Sequence, residues 1–143
     1  MLYCCYLRRG IVYVPTVAEV EARSGYREIE PVTAVPVSDA AGLRRAFQET
    51  MARGNPVVPN LRRADLPEPV VLKYAGVKSS AAFVRTTLTW DIVVKDGIYR
   101  IVGLRRRPDR GWEEDPNQIV TFPPGTSADD VITRMIAILT DAA

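Results

Sequence analysis

The sequence predicts an α+β fold, a mixed and mainly antiparallel sheet of about five strands packed with two main helices and one short helix. Three observations carry this. Apolar residues recur at helical spacing with stop and start signals in two places, near residues 39–53 and 127–142. Residues 86–95 alternate like a half-buried strand and run straight into Asp96-Gly97, the strongest short hairpin signal. The rest is short β-branched runs punctuated by proline, with no internal repeat and no break that divides the chain, so one domain over 1–143 is expected.

In order, residues 10–16 (GIVYVPT) read as a strand closed or edged by Pro15. Residues 17–24 read as a short strand or a helical turn broken by Gly25. Residues 26–37 read as extended, and Pro31 and Pro36 make a kinked or edge strand the better fit. Ser38 or Asp39 caps the first helix, in which Leu43, Ala46, Phe47, Thr50 and Met51 form one stripe, ended by Gly54 and Pro56. Residues 54–69 hold four prolines and read as an irregular connection, with Val57 and Val58 as candidates to reach the core. Residues 70–74 read as a short strand or a helix lead-in, and Ser79 or Ser80 caps a brief helix through Arg85. On the hairpin, Leu88, Trp90, Ile92 and Val94 share one face, residues 98–104 return, and 112–122 give a third strand with a turn or bulge at Asp115-Pro116. Ser127 caps the last helix, Asp129 and Asp130 sit at its positive end, and Val131, Ile132, Met135, Ile138, Leu139 and Ala142 form its apolar stripe.

Composition narrows the chemistry by exclusion. The chain has no histidine, which removes the usual general base near neutral pH, the commonest metal ligand, and Ser-His or Cys-His activation. The two cysteines, Cys4 and Cys5, are adjacent and read as small apolar residues of a reducing compartment. No apolar run approaches the roughly 18 residues of a membrane span, and Arg8 and Arg9 follow the apolar start instead of preceding it, so a soluble cytoplasmic protein is expected. Phosphate-loop, dinucleotide, calcium-loop and zinc spacings are all absent, and no cofactor or metal is implied. Net charge is +2, but residues 61–110 carry eleven Lys or Arg against five acids, while 111–143 carry one Arg against six acids.

Two segments concentrate functional residue types. Arg105, Arg106, Arg107 and Arg110 beside Trp112 could hold anionic groups against an aromatic face, or simply keep a hairpin loop solvated, or pair with Glu113, Glu114 and Asp115. Lys73, Tyr74, Lys78 and Ser79 could in principle build a Ser-Lys nucleophile, but no glycine-rich stretch marks an oxyanion hole. Carboxylates at 28, 30, 113, 114 and 115 could gather in space, with nothing in the sequence to pair them.

The strings RGIVYVPT (9–16), EPVTAVPVSD (30–39), LRRAF (43–47), RGNPVVP (53–59) and KYAGVKS (73–79) resemble those of a widespread group of small uncharacterised proteobacterial proteins. Residues 1–8 fit that resemblance least and read as a variable N-terminal extension. The resemblance implies no activity and transfers no functional residues. Length and build are also similar to immunity proteins of bacterial toxin systems, including contact-dependent inhibition, a likeness of size and character and not of motif. The expected function is therefore non-catalytic protein binding, of an immunity type, with another protein as partner and nucleic acid less favoured. The alternative is a small enzyme or nucleic-acid-acting protein using the 73–80 segment.

Overall fold

Two tight turns place both central residues at positive φ, as a type I′ hairpin requires. Arg9-Gly10 joins β1 (Leu2–Arg8) to β2 (Ile11–Val20), and Asp96-Gly97 joins β5 (Leu88–Lys95) to β6 (Ile98–Arg106). The two hairpins lie side by side, because β1 pairs antiparallel with β5 from Leu2↔Val93 to Leu7↔Leu88. β3 (Tyr26–Pro36) adds to β2, and β7 (Trp112–Thr121) adds to β6. The computed structural model describes residues 1–143, and its sheet runs β3-β2-β1-β5-β6-β7, with the two-residue β4 (Val57–Val58) parallel to the end of β2.

Seven strands and four helices replace the five and three expected. The largest correction is β1. Residues 1–8, set apart by the sequence as an extension, form a central strand whose Tyr3, Cys5 and Leu7 enter the main core. Two adjacent cysteines disguised its alternation, since successive strand side chains face opposite ways and Cys passes for either side. β2 also runs through Pro15 instead of stopping there. The register against β3 shifts between Pro15 and Thr16, the kind of irregularity at which a residue lacking an N–H is tolerated. Val57 does not reach the core; it is 66% exposed on β4. β3 is an edge strand, as its prolines imply.

The helices divide unequally between the two faces. α1 (Ala40–Arg53) and α4 (Ala128–Ala142) cover one face, and their stripes meet Val12, Val14, Trp90, Ile92 and Ile101 in a core of 16 buried residues. Both begin as the sequence indicates: Asp39 accepts from the Gly42 N–H at 2.9 Å and Ser127 from the Asp130 N–H at 3.1 Å. A polar seam ties them together, Arg44 donating to Thr133 Oγ1 at 2.7 Å and Gln48 to Asp129 at 3.2 Å.

The other face carries only α2 (Val71–Ala75) and α3 (Ser80–Thr86). These short helices seal a five-residue cluster, Tyr13, Val32, Val71, Leu72 and Phe83, over β2 and β3. Residues 70–74, read as strand or helix lead-in, are helical because Val71 and Leu72 bury in that cluster while Gly76 ends the turn in the left-handed conformation. Nothing comparable covers β5, β6 and β7 on this open face.

β1 and β2 pair only from Tyr6↔Tyr13 to Arg8↔Ile11 and then diverge. Asn55 closes the gap. Its amide donates to the carbonyls of Leu2 at 2.8 Å and Val17 at 2.9 Å, and its oxygen accepts from the Leu2 N–H at 3.0 Å. The bulge expected near Asp115-Pro116 is present as a register shift opposite Val102 and Leu104, where Asp115 accepts from the Asn117 N–H and the Gln118 amide, each at 3.0 Å.

Candidate functional site: the trough on the open face

Strand alternation decides what lines the open face. On β1 the odd residues enter the main core, so Cys4 and Tyr6 face the other way. On β5, Trp90 and Ile92 enter the main core, as the sequence indicates, and Thr89 and Asp91 therefore turn to the open face. Leu104 of β6 and Trp112 of β7 join them.

Three concavities run together there. A hollow of about 540 Å³ lies between the Leu61–Leu66–Pro67 connection and Phe83. A pit of about 150 Å³ opens between Cys4, Glu28, Thr89, Asp91 and Leu104. A cleft of about 940 Å³ separates α3 from the arginine hairpin. Trp112 borders all three, and Tyr26, itself 47% exposed, borders the first two. Phe83 meets Tyr6 edge-on with ring centroids 5.1 Å apart, which fixes the wall between α3 and the sheet.

The pit is acidic and poorly solvated. Glu28 accepts hydrogen bonds from the Tyr6 hydroxyl and from Cys4 Sγ, the latter at 3.3 Å. Burial pushes the Glu28 carboxyl above its ordinary range, against the pull of those two donors. Asp91 lies close by with no ion pair and no hydrogen bond. Burial first, and then the charges of Glu28 and Glu114, raise its pKa to about 7. Burial also raises the thiols of Cys4 and Cys5 and the Tyr6 hydroxyl, so none of the three ionises readily at neutral pH. The cysteines are free, buried and on opposite faces of β1, the arrangement of inert core thiols.

The arginines separate. Arg105 is held by Glu113 at 3.2 Å and stays out of the cleft. Arg107 makes two bonds to Asp109, at 3.1 and 3.2 Å. Arg106 and Arg110 line the cleft with Arg107 and Trp112 and form no ion pair. Arg85 arrives from α3 to face them, also without an ion pair.

The 73–80 segment does not form a couple. Lys73 pairs with Glu30 at 2.5 Å, and the Tyr74 hydroxyl donates to the same carboxylate at 2.5 Å. That shared contact lowers the Glu30 pKa and raises those of Lys73 and Tyr74. Ser79 Oγ accepts from the Ala82 N–H at 3.1 Å as the cap of α3, and no bond joins it to the exposed Lys78. Of the carboxylates that could gather, Glu28 and Glu114 approach Asp91, whereas Glu30 and Glu113 are engaged elsewhere. Sequence reasoning missed Asp91 and Arg85. The available signal for Asp91 was an acid in the middle of LTWDIVV, on the side of the strand opposite Trp90 and Ile92.

No group of three His, Cys, Asp or Glu side chains is gathered to hold a metal ion, and no helix is long and apolar enough to cross a membrane. No family model matches the chain, and no curated protein matches it in sequence. Among solved structures it is similar to a protein of unknown function from Neisseria meningitidis, with a TM-score of 0.65 and 13% identity, covering 99% of this chain and 94% of that one. It is also similar to a chain of a CdiA-CT/CdiI toxin and immunity complex from Yersinia pseudotuberculosis, with a TM-score of 0.63 and 12% identity, covering 99% and 95%. At these identities the likeness is one of fold, and it extends over nearly the whole of each chain.

Proposed function

We propose that this chain is a non-catalytic protein-binding module of the immunity kind, which neutralises a toxin partner by docking the open face of its sheet against it. The observation that carries this reading is the near full-length likeness to a chain of a toxin and immunity complex. The uneven sheet supports it. One face is sealed by two long helices, and the other leaves Tyr26 exposed and Trp112 half-buried around a continuous trough, with aromatic and arginine side chains of the types enriched where proteins bind. Catalysis through residues 73–80 has little support, because Ser79 is a helix cap and Lys73 and Tyr74 are tied to Glu30. In this reading the protein works in the cytoplasm, where both buried thiols stay reduced.

The test is genetic and then physical. Expressing each gene adjacent to this one should reveal a product that arrests growth alone and not when this chain is co-expressed. Relief should be lost with Trp112→Ala combined with Arg106→Glu. A set of neighbours with no toxic product, or relief that survives both substitutions, counts against the reading.

A further inference from the structure

We infer that the cleft between α3 and the β6–β7 hairpin receives an acidic segment of the partner protein, with an apolar residue of that segment against Trp112. This rests on the protein-binding reading and specifies the partner's chemistry. Four guanidinium groups line one cleft: Arg85 from α3, and Arg106, Arg107 and Arg110 from the hairpin. Only Arg107 has a carboxylate partner, Asp109. Asp109, the one acid lining the cleft, also acts on Arg110 by its charge, so four guanidinium groups share a single carboxylate and the cleft keeps an excess of positive charge that an arriving carboxylate would relieve. The planar guanidinium suits that role, since it binds a carboxylate through two parallel N–H bonds. The hairpin's other acids do not line the cleft: Glu113 is held by Arg105 outside it, and the charge of Glu114 acts on Asp91. Ala81, Val84 and Trp112 give the cleft an apolar strip between the charges, so the segment that fits has acids flanking an apolar residue.

A nucleic acid fits less well. A polyanion needs basic surface along its whole track. Here the cleft leads past Trp112 into a pit whose floor holds Glu28 and Asp91, and the chain beyond residue 110 is acidic. A short acidic peptide can stop at Trp112, whereas a longer phosphate backbone would meet carboxylates.

The experiment selects a random twelve-residue peptide library, displayed on phage, against the intact protein and against an Arg85→Glu, Arg106→Glu, Arg110→Glu variant. All three positions are exposed, so the variant should keep the wild-type circular dichroism and melting curve. Peptides rich in Asp and Glu around an aromatic or aliphatic residue should be enriched on the wild type. Synthetic copies should bind the variant at least tenfold more weakly, with lysine replacing the acids in the peptides it selects. Trp112→Ala should weaken the same peptides. Enrichment of basic or neutral peptides, affinity unchanged by the reversals, or no enrichment at all would overturn the inference. So would a twenty-nucleotide single-stranded RNA that binds the wild type more tightly than the best peptide. Failure here, with growth relief by the wild-type chain intact, removes the acidic segment and leaves the immunity reading standing; no relief of any neighbouring product by the wild-type chain removes the reading itself.

Discussion

The two faces of this sheet are made from the same strands and do opposite things. Under α1 and α4, side chains from five strands interlock with two amphipathic helices, and Phe47, Leu43, Met135 and Leu139 are almost entirely removed from water. On the open face, two helices of five and seven residues seal only the β2–β3 side, and toward β5–β7 the face keeps Asp91 half-buried beside Glu28 of β3, a half-buried Trp112 and free arginines. The difference teaches where stability and function are separated. A face closed by long helices has little left to offer a partner, whereas one closed halfway keeps polar and aromatic groups whose interactions are incomplete.

The comparison breaks most directly in the cores. Phe47→Ala should cost about 3–5 kcal/mol in urea unfolding, the usual range for an aromatic deleted from a closed core. Phe83→Ala should cost less, because α3 is short and can settle onto the sheet. Equal losses would mean that the open face is packed as tightly as the other.

Next in size is a pH effect confined to the open face. An unfolded aspartate titrates near 3.9, and Asp91 does so at about 7 in the folded protein. Between those values the folded state holds a proton that the unfolded chain has released. Asp91's contribution is therefore complete below about pH 4 and is lost as pH rises to 7. Asp91→Asn should flatten that part of the stability curve and raise stability at pH 8 by as much as about 4 kcal/mol. Glu28, displaced in the same direction, adds to the slope. Thermal melts at pH 5 and pH 8 decide it: a wild-type protein more stable at pH 8 would show that the pit is better solvated than its geometry indicates.

Helix caps should respond in proportion to what their helices cover. Ser127→Ala should cost about 1 kcal/mol, the ordinary loss of an N-cap. Ser79→Ala should cost less, since α3 is only seven residues long, and should leave partner binding unchanged. A large binding defect in Ser79→Ala would restore that hydroxyl as a functional group. The smallest stability effect belongs to Arg106→Glu, expected within about 0.5 kcal/mol of wild type because the side chain is exposed and unpaired. Its effect should appear in binding instead.

The sequence carried the helix-covered face well. The stripes from Leu43 and from Val131, the caps at Asp39 and Ser127, the Asp96-Gly97 turn and the inward set on β5 are all local signals with periods of 3.6 or 2, and local signals survive without knowledge of the fold. It also marked Arg106, Arg107, Arg110 and Trp112 as a group, since a hairpin loop keeps sequence neighbours together. It also offered pairing of that run with Glu113, Glu114 and Asp115, which the structure realises at Arg105 and Glu113, opposite each other in the β6–β7 register.

What only the tertiary structure decided is the pairing of distant segments. The sequence determined that residues 88–106 form a hairpin and that a helix follows at the end of the chain. It did not determine that residues 2–8 lie at the centre of the sheet, because a strand's place depends on partners more than eighty residues away and not on its own pattern. That one pairing sets Cys4 and Tyr6 beside Asp91. Its continuation through β2 brings Glu28 into the same pit, and the packing of α3 over the sheet carries Arg85 to Arg106 and Arg110. Charges placed by long-range pairing leave no periodic trace in the chain, and so the trough became visible only when the strands were set side by side.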